Sequence, residues 1–301
     1  MLQIVHHPDY ATPAPPGSRF PWDKYALVMT ALEQAGVAHR VHRPEPAPRA
    51  AIEAVHDADY VASVIACAVA PAIEKRIGFP VTERVARRAQ LTPGGTWLAA
   101  KLALVHGHAA NAAGGSHHAF QGGGAGYCVF NDLAIAARLL LDAGDARRIL
   151  ILDCDVHQGD GTAAMTADMA DIATFSIHAE KNFPAIKARS TLDVGLPDGT
   201  GDAAYFAALE AYLPQLVDGF APDLILYQAG VDCHAEDKLG RLALSDAGLE
   251  ARDRFVGGIA GRRSIAIASA LGGGYGDDRM AVARRHAASM VAVAAGVRAE
   301  R

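Results

Sequence analysis

The sequence predicts an α/β fold organised around a mostly parallel sheet, and two observations carry that reading. From about residue 109 onward, short apolar runs alternate with longer amphipathic segments, the signature of successive strand and helix units. The clearest apolar runs are near-continuous instead of alternating, as strands covered on both faces require.

A weak run at 109–113 opens the pattern and leads into Gly114 and Gly115. Apolar residues at i, i+3 and i+4 over 132–141, with charges opposite, predict a helix, and Asp132 stands where its cap is expected. The strands 148–153 and 172–177 follow. A helix over 203–216, with Asp202 in the cap position, precedes the strand 224–228. The helix over 246–259 carries Asp246 in its first turn, where a carboxylate faces unsatisfied N–H groups. A strand at 264–271 and a helix at 280–297 complete the series. The two proline-rich stretches, 12–21 and 43–48, both fall in the first fifth of the chain. With no linker beyond them, a single domain over residues 1–301 is expected.

A chain of 301 residues, 51% hydrophobic and with a net charge of −5 from 28 Lys+Arg against 33 Asp+Glu, has a globular composition. Cys67, Cys128, Cys154 and Cys233 form no Cys-x-x-Cys pair. That argues against a zinc finger, a thioredoxin-like site or a disulfide scaffold, and for a cytoplasmic protein. Residues 1–10 show neither a basic n-region nor an apolar h-region, so no signal peptide is expected. Apolar stretches such as 264–271 fall far short of the roughly 20 residues of a membrane span. Mild acidity without a basic, aromatic-interleaved cluster weighs against direct nucleic-acid binding. The thirteen histidines point elsewhere, because imidazole is both a proton shuttle near neutral pH and the commonest metal ligand.

Ligands of open parallel sheets bind beyond the carboxyl ends of the strands, and here those ends are polar. The strand at 148–153 leads into Asp153, Asp155, His157 and Asp160. Asp155 and His157, two apart in an extended segment, face the same way, and Asp232 at the end of another strand is the natural third ligand. An Asp/His/Asp set leaves positions open for water and substrate, as a catalytic zinc requires; the bland reading makes both aspartates helix caps. His117 and His118 are adjacent and preceded by glycines. An acid or base for a bound water needs a partner on its second nitrogen, and Asp153 and Asp160 are available for that. Otherwise the pair is a surface or core feature. Tyr275 follows three glycines without the downstream Lys-Ser/Thr of a P-loop. Its hydroxyl there is either a donor to a developing oxyanion or part of a core tyrosine. Cys154 and Cys233 adjoin these ligands and are expected to pack, not react. Glu236 and Asp237 suggest an acidic rim that attracts amines, with His234 beside them and His178 near the site.

Five segments, in this order, resemble the histone deacetylase family, which includes bacterial deacylases and acetylpolyamine amidohydrolases. They are Gly-Gly-Ser-His-His-Ala at 114–119, Gly-Tyr-Cys-Val-Phe-Asn-Asp at 126–132, Asp-Cys-Asp-Val-His-Gln-Gly-Asp-Gly at 153–161, Gln-Ala-Gly-Val-Asp at 228–232 and Gly-Gly-Gly-Tyr at 272–275. The resemblance implies the arginase/deacetylase fold, an eight-stranded sheet between helix layers. It implies Asp155, His157 and Asp232 as ligands of one Zn2+ per chain, with Fe2+ a competing metal. His118 would be general base and then acid, His117 its electrostatic partner, Asp153 and Asp160 their orienting groups, and Tyr275 the residue that polarises the acyl carbonyl. Gly126 and Tyr127 would line the acyl channel. The family often binds K+ through Asp153, Asp155, His157 and Ser176, so a K+ site is open here. The expected substrate is an acylated lysine side chain or another acylated amine.

Gln158 and the segment Asn182-Phe183-Pro184 resemble the class IV and related bacterial branch. Two departures are Tyr127, where many relatives have Phe, and Asp160, where many class IV members have Asn. Two rival readings are an arginase-like ureohydrolase and a non-catalytic acyl-lysine binding module. The first needs extra metal ligands where Gln158 and Gly159 stand, and the second predicts a missing ligand, tyrosine or histidine.

Overall fold

The computed structural model describes residues 1–14 and 20–300, so the middle of the first proline-rich stretch, 15–19, lies outside the described residues. The N-terminal third forms β1 (Leu2–Val5), α1 (Lys24–Gln34), β2 (His39–His42), α2 (Arg49–Glu53), α3 (Ala58–Ile65), α4 (Pro71–Ile77) and the long α5 (Glu83–His106). Then come β3 (His108–Asn111), α6 (Asp132–Asp142), β4 (Ile149–Asp153), α7 (Asp160–Thr166), β5 (Ile172–Ala179) and β6 (Leu192–Leu196). The chain ends with α8 (Asp202–Phe220), β7 (Leu224–Gln228), α9 (Asp246–Arg262), β8 (Ala266–Ala270) and α10 (Arg279–Ala299).

The strands make one eight-stranded sheet in the order β2-β1-β3-β8-β7-β4-β5-β6. Every pairing in it is parallel. Alternate residues of the central strands explain why the sequence runs looked continuously apolar. Ile149, Ile151, Leu224, Leu226 and Ala268 pack with Ala99 and Ala103 of α5 and Leu133, Ala137 and Leu140 of α6. Their chain neighbours Leu150, Leu152, Ile225, Tyr227 and Ile267 pack with Leu209 of α8, Val256 and Ile259 of α9 and Val293 of α10. Both faces are covered, so neither can be polar.

Leaving β3, the chain skips two places and resumes at β4, moves outward through β5 and β6, and returns to fill the gap with β7 and β8. The loops after β3, β8, β7 and β4 therefore meet above four adjacent strands, at the point where the order reverses. Asp153 pairs in register with Gln228, which pairs with Ala270, so these strand ends stand level.

Two expected caps are corrected. Asn131 caps α6, its side chain accepting from the Ala134 N–H, while Asp132 lies inside the first turn with its carboxylate turned toward the β3 loop. Gly201 caps α8, and Asp202 accepts instead from the backbone N–H and the hydroxyl of Ser245, the cap of α9. In both cases a tertiary partner outbids the local N–H groups. No helix among the described residues is long and apolar enough to cross a membrane.

Leu226→Ala is expected to destabilise the protein by about 2–5 kcal/mol, the cost of a cavity at a fully buried strand residue. Val41→Ala, at a half-exposed position on the edge strand β2, is expected to change stability by less than about 0.5 kcal/mol. Urea unfolding of the two variants measures both.

Candidate active site

Beyond β4 and β7 the chain brings Asp155, His157 and Asp232 together, with one ligand atom of each within 4.8 Å of the others. His157 Nδ1 lies 3.0 Å from Asp155 Oδ1 and 3.2 Å from Asp232 Oδ2. The second Asp155 oxygen accepts the Gly273 N–H at 2.7 Å, and Asp232 Oδ1 accepts the Val156 N–H at 2.8 Å. Burial and the neighbouring Asp155 charge lift the Asp232 carboxyl to about 7. Burial opposes charge on His157 too, yet hydrogen bonds to Asp155 and Asp232 hold it up at about 10. Two buried carboxylates thus stand against one imidazole, a set whose negative charge a cation would offset. Two oxygens and one nitrogen converging at this distance fit a divalent ion such as zinc. Among the described residues this is the one His/Cys/Asp/Glu cluster with metal-ligand spacing. Gln158 supplies no further ligand, because its amide donates to Asp193 Oδ1 and the Ala188 carbonyl.

The loop after β3 carries the histidine pair. Buried Asp132 anchors it by accepting the Ser116 N–H at 2.6 Å, the Gly115 N–H at 3.1 Å and the Thr96 hydroxyl at 2.6 Å. His117 Nδ1 donates to Asp153 Oδ2 and His118 Nδ1 to Asp160 Oδ1, each at 2.6 Å. The two rings lie 4.0 Å apart, centre to centre. Burial works against charge on both, but the outcomes differ. Asp153 and Asp155 outweigh burial at His117 and hold it up at about 9, whereas burial and the His117 charge push His118 down to about 3. A charged imidazole and a neutral one stand side by side. His117 faces Asp155 Oδ1 from Nε2 at 3.8 Å, whereas the bond to Asp160 leaves Nε2 as the unprotonated nitrogen of His118.

Tyr275 closes the opposite wall. Its backbone is held on two sides, with its N–H donating to Asp237 Oδ2 at 2.6 Å and its carbonyl accepting the Lys238 N–H at 3.0 Å. The preceding Gly273 is required by proximity, since a Cβ there would fall 1.9 Å from Asp232 Oδ2. These walls enclose a cavity of about 500 Å³, lined by His117, His118, Asp155, His157, Tyr275 and, as expected, Gly126 and Tyr127. A Cβ at Gly126 would fall 2.6 Å from the His118 ring, so this glycine keeps the channel open beside the imidazole. The Tyr127 ring stacks on Phe79 and approaches Tyr275.

The acidic rim is corrected. Glu236 pairs with Arg285, and Asp237 turns inward to accept the N–H groups of Leu239, Gly240 and Tyr275. The charges lining the mouth are instead Arg76, Lys181 and Arg241. His178 bonds to Ser176 within β5, and His234 lies between Asp246 and the Glu236 N–H; neither lines the cavity. Cys154 and Cys233 are fully buried in the core, where burial raises both thiols.

A histone deacetylase domain model matches residues 19–291. The chain belongs to the histone deacetylase family. It is 45% identical over 285 residues to an uncharacterised protein of Picosynechococcus sp., covering 94% of this chain and 95% of that one. It is also 31% identical over 206 residues to histone deacetylase 2 of Arabidopsis thaliana, covering 67% of this chain and 51% of that one. To the acetoin utilization protein AcuC of Bacillus subtilis it is 32% identical over 217 residues, covering 65% of this chain and 54% of that one. The chain thus spans about half the length of the two characterised relatives. A solved acetylpolyamine aminohydrolase from Burkholderia pseudomallei superposes with a TM-score of 0.81 at 22% identity, covering 100% of both chains, which establishes a shared fold. Family membership makes this chain a hydrolase acting on amide bonds.

The sequence pointed to Asp155, His157, Asp232, the histidine pair and Tyr275, which the structure brings to one place; it offered Asp237 only as a rim carboxylate and Phe183 only within a branch segment, and gave no sign of Lys24 or Arg252. Buried Lys24 donates to the Gly272 carbonyl at 2.7 Å, and the Phe183 ring meets His118 edge-on at 4.8 Å. Buried Arg252 donates from Nη1 to the Cys154 and Gly230 carbonyls at 3.1 and 2.8 Å, binding both ligand loops from behind. No spacing rule links these residues to the site. Their partners are 22 to 248 positions away.

If the cluster holds a divalent ion, dialysis against a chelator lowers the melting temperature, and zinc restores it, by an amount corresponding to about 4 kcal/mol at a thousandfold excess over Kd. Asp232→Ala is expected to abolish that shift and the bound metal, as read by elemental analysis.

Proposed function

We propose that this chain is a zinc-dependent deacylase that hydrolyses the amide of an acylated lysine side chain, with acylated polyamines and other small amines as the alternative substrates. The observation that carries the reading is the pairing of two adjacent imidazoles, each locked on its own buried aspartate, beside a three-residue metal cluster in one cavity.

Asp155, His157 and Asp232 would hold the ion. When bound, zinc polarises the acyl carbonyl and lowers the pKa of a water toward roughly 7. His118, neutral and with Nε2 free, takes the proton from the attacking water and later gives it to the leaving amine. Asp160 fixes the tautomer that makes this nitrogen the basic one. His117, charged through Asp153, stabilises the negative charge that develops beside it. Tyr275 donates its hydroxyl to the developing oxyanion, a contribution worth about 3 to 4 kcal/mol. Gly126 and Tyr127 wall the channel for the acyl-bearing side chain, and Phe183 shields His118 from one side. The free thiols support a reducing, cytoplasmic setting.

Tyr275→Phe is expected to lower kcat by roughly a hundredfold or more while KM changes little, because the hydroxyl acts on the transition state. Equal loss in kcat and affinity, or no loss, removes Tyr275 from the mechanism. Acyl-lysine turnover that survives both a chelator and His118→Ala overturns the zinc hydrolase. Two equivalents of manganese with activity on guanidino compounds would favour a ureohydrolase instead.

Asp237→Ala frees the Tyr275 backbone and is expected to lower kcat by about tenfold, since a small misplacement of a catalytic group is costly. Steady-state kinetics on an acetyl-lysine peptide, compared with Glu236→Ala at the neighbouring surface position, measures it.

A further inference from the structure

We propose that the inner part of the cavity is a carboxylate site, and that this enzyme accepts acyl groups ending in their own carboxylate, such as lysine acylated by a short dicarboxylic acid. The proposal rests on the amide-hydrolase reading above and adds the acyl class.

Two buried cations line the cavity. Arg88 of α5 is 6% exposed, and its guanidinium carbon lies 4.4 Å from the Trp22 ring centre, 4.8 Å from Phe20 and 5.7 Å from Phe79. Aromatic faces attract a cation but offer no hydrogen-bond acceptor of ordinary strength. Arg88 Nη1 has no hydrogen-bond partner among the described residues. A buried N–H of a charged group left without an acceptor is an unusual feature that calls for a ligand.

Lys24 is the second cation, and its Nζ lies 5.7 Å from the ring centres of both Tyr25 and Tyr275. The Arg88 guanidinium carbon is 6.0 Å from that same Tyr25 ring. Tyr275, Lys24, Tyr25 and Arg88 thus follow one another along the lining of one cavity. Asp155 is the only carboxylate among the described lining residues, and it belongs to the metal cluster. Lys24 feels the charges of Asp232, Asp155 and Asp237, but no carboxylate stands against Arg88.

The cavity of about 500 Å³ takes in the side-chain channel and also the space beside Arg88 and Lys24. A longer neutral acyl chain would lie against the guanidinium and leave its N–H unmet. A terminal carboxylate would accept from Arg88 and Lys24 in charge-assisted hydrogen bonds, stronger than neutral ones. The hydrolytic step itself is unaltered: water adds to the amide carbonyl, the C–N bond breaks, the amine leaves with the proton, and a dicarboxylate is released.

The test compares three peptides with zinc-loaded protein: succinyl-lysine, its uncharged ω-amide of equal length, and acetyl-lysine. Succinyl-lysine is expected to exceed the ω-amide in kcat/KM by roughly tenfold or more. Arg88→Gln is expected to erase that ratio and Arg88→Lys to restore part of it. The site is overturned if wild type cleaves the ω-amide as well as succinyl-lysine, or if the ratio survives Arg88→Gln. The wild-type ratio decides even where a variant fails to fold. Turnover of acetyl-lysine alone rejects the carboxylate site and leaves the hydrolase intact. Turnover of none of the three rejects the hydrolase, and calorimetric binding of succinyl-lysine against the ω-amide then decides the site by the same ratio.

Discussion

The active end of this protein depends on keeping aspartates buried without unfolding the sheet beneath them. Asp132, Asp153, Asp155, Asp160 and Asp232 are each at most 5% exposed and all lie above the ends of adjacent strands. A carboxylate taken out of water is tolerable only when hydrogen bonds and opposite charges replace its hydration. Each of the five has that replacement. Asp132 accepts three hydrogen bonds from one loop and one helix, Asp153 and Asp160 each hold an imidazole, and Asp155 and Asp232 accept backbone N–H groups besides His157. The demand is asymmetric: burial still lifts Asp153 and Asp232 above the ordinary carboxylate range with every partner in place, and losing one partner strands a charge outright. That asymmetry fixes the loops more firmly than their glycine content alone would allow.

The loops are in turn tied to one another chiefly through main-chain groups. The Gly273 N–H reaches Asp155, the Val231 N–H reaches the Gly273 carbonyl, and Gln228 donates to the Gly115 carbonyl at 2.9 Å. Four strand ends, those of β3, β4, β7 and β8, are coupled by these contacts. Arg252 completes the arrangement from beneath: buried beside Asp253, it gathers the Cys154 and Gly230 carbonyls. A guanidinium suits this role because its planar fork presents several donors in fixed directions. The spacing of Asp155, His157 and Asp232 is therefore set by backbone held in place.

The central sheet was legible because burial on both faces leaves a local trace. The strand expected at 224–228 matches β7 residue for residue, and the one at 148–153 differs from β4 by a single residue. The site was legible for a related reason, since Asp155 with His157 and His117 with His118 are close in sequence as well as in space. What escaped was what tertiary packing alone determines. β1 and β2 are four residues each, too short for a pattern, and β2 is only partly buried. Helix α5 carries Pro93, Gly94 and Gly95 in its interior, which reads as a break, yet all three are buried against neighbouring elements that hold the helix together. Asp132 looked like a cap because caps are aspartates, but its carboxylate serves the loop after β3 while Asn131 takes the N–H group of Ala134.

Lys24 shows why the least legible part of the chain matters to the most legible. It stands at the start of α1, in a third of the protein that yielded no strand or helix from sequence, and its ammonium grips a carbonyl 248 positions away in the glycine run before Tyr275. Burial pulls this amine down to about 8, opposed by the attraction of Asp232 and Asp155, so the carboxylates that would bind a metal also help keep the lysine charged. The dependence runs both ways. Removing the charge at Lys24 would leave the Gly272 carbonyl unmet and would withdraw a cation from the field of the aspartates. Helix α1 therefore does more than cover the sheet edge, because the glycine run it grips carries both the Gly273 N–H on Asp155 and the Tyr275 phenol. The geometry of the candidate site is in this sense a property of the whole sheet with α1 docked beside it, which no segment of the sequence holds by itself.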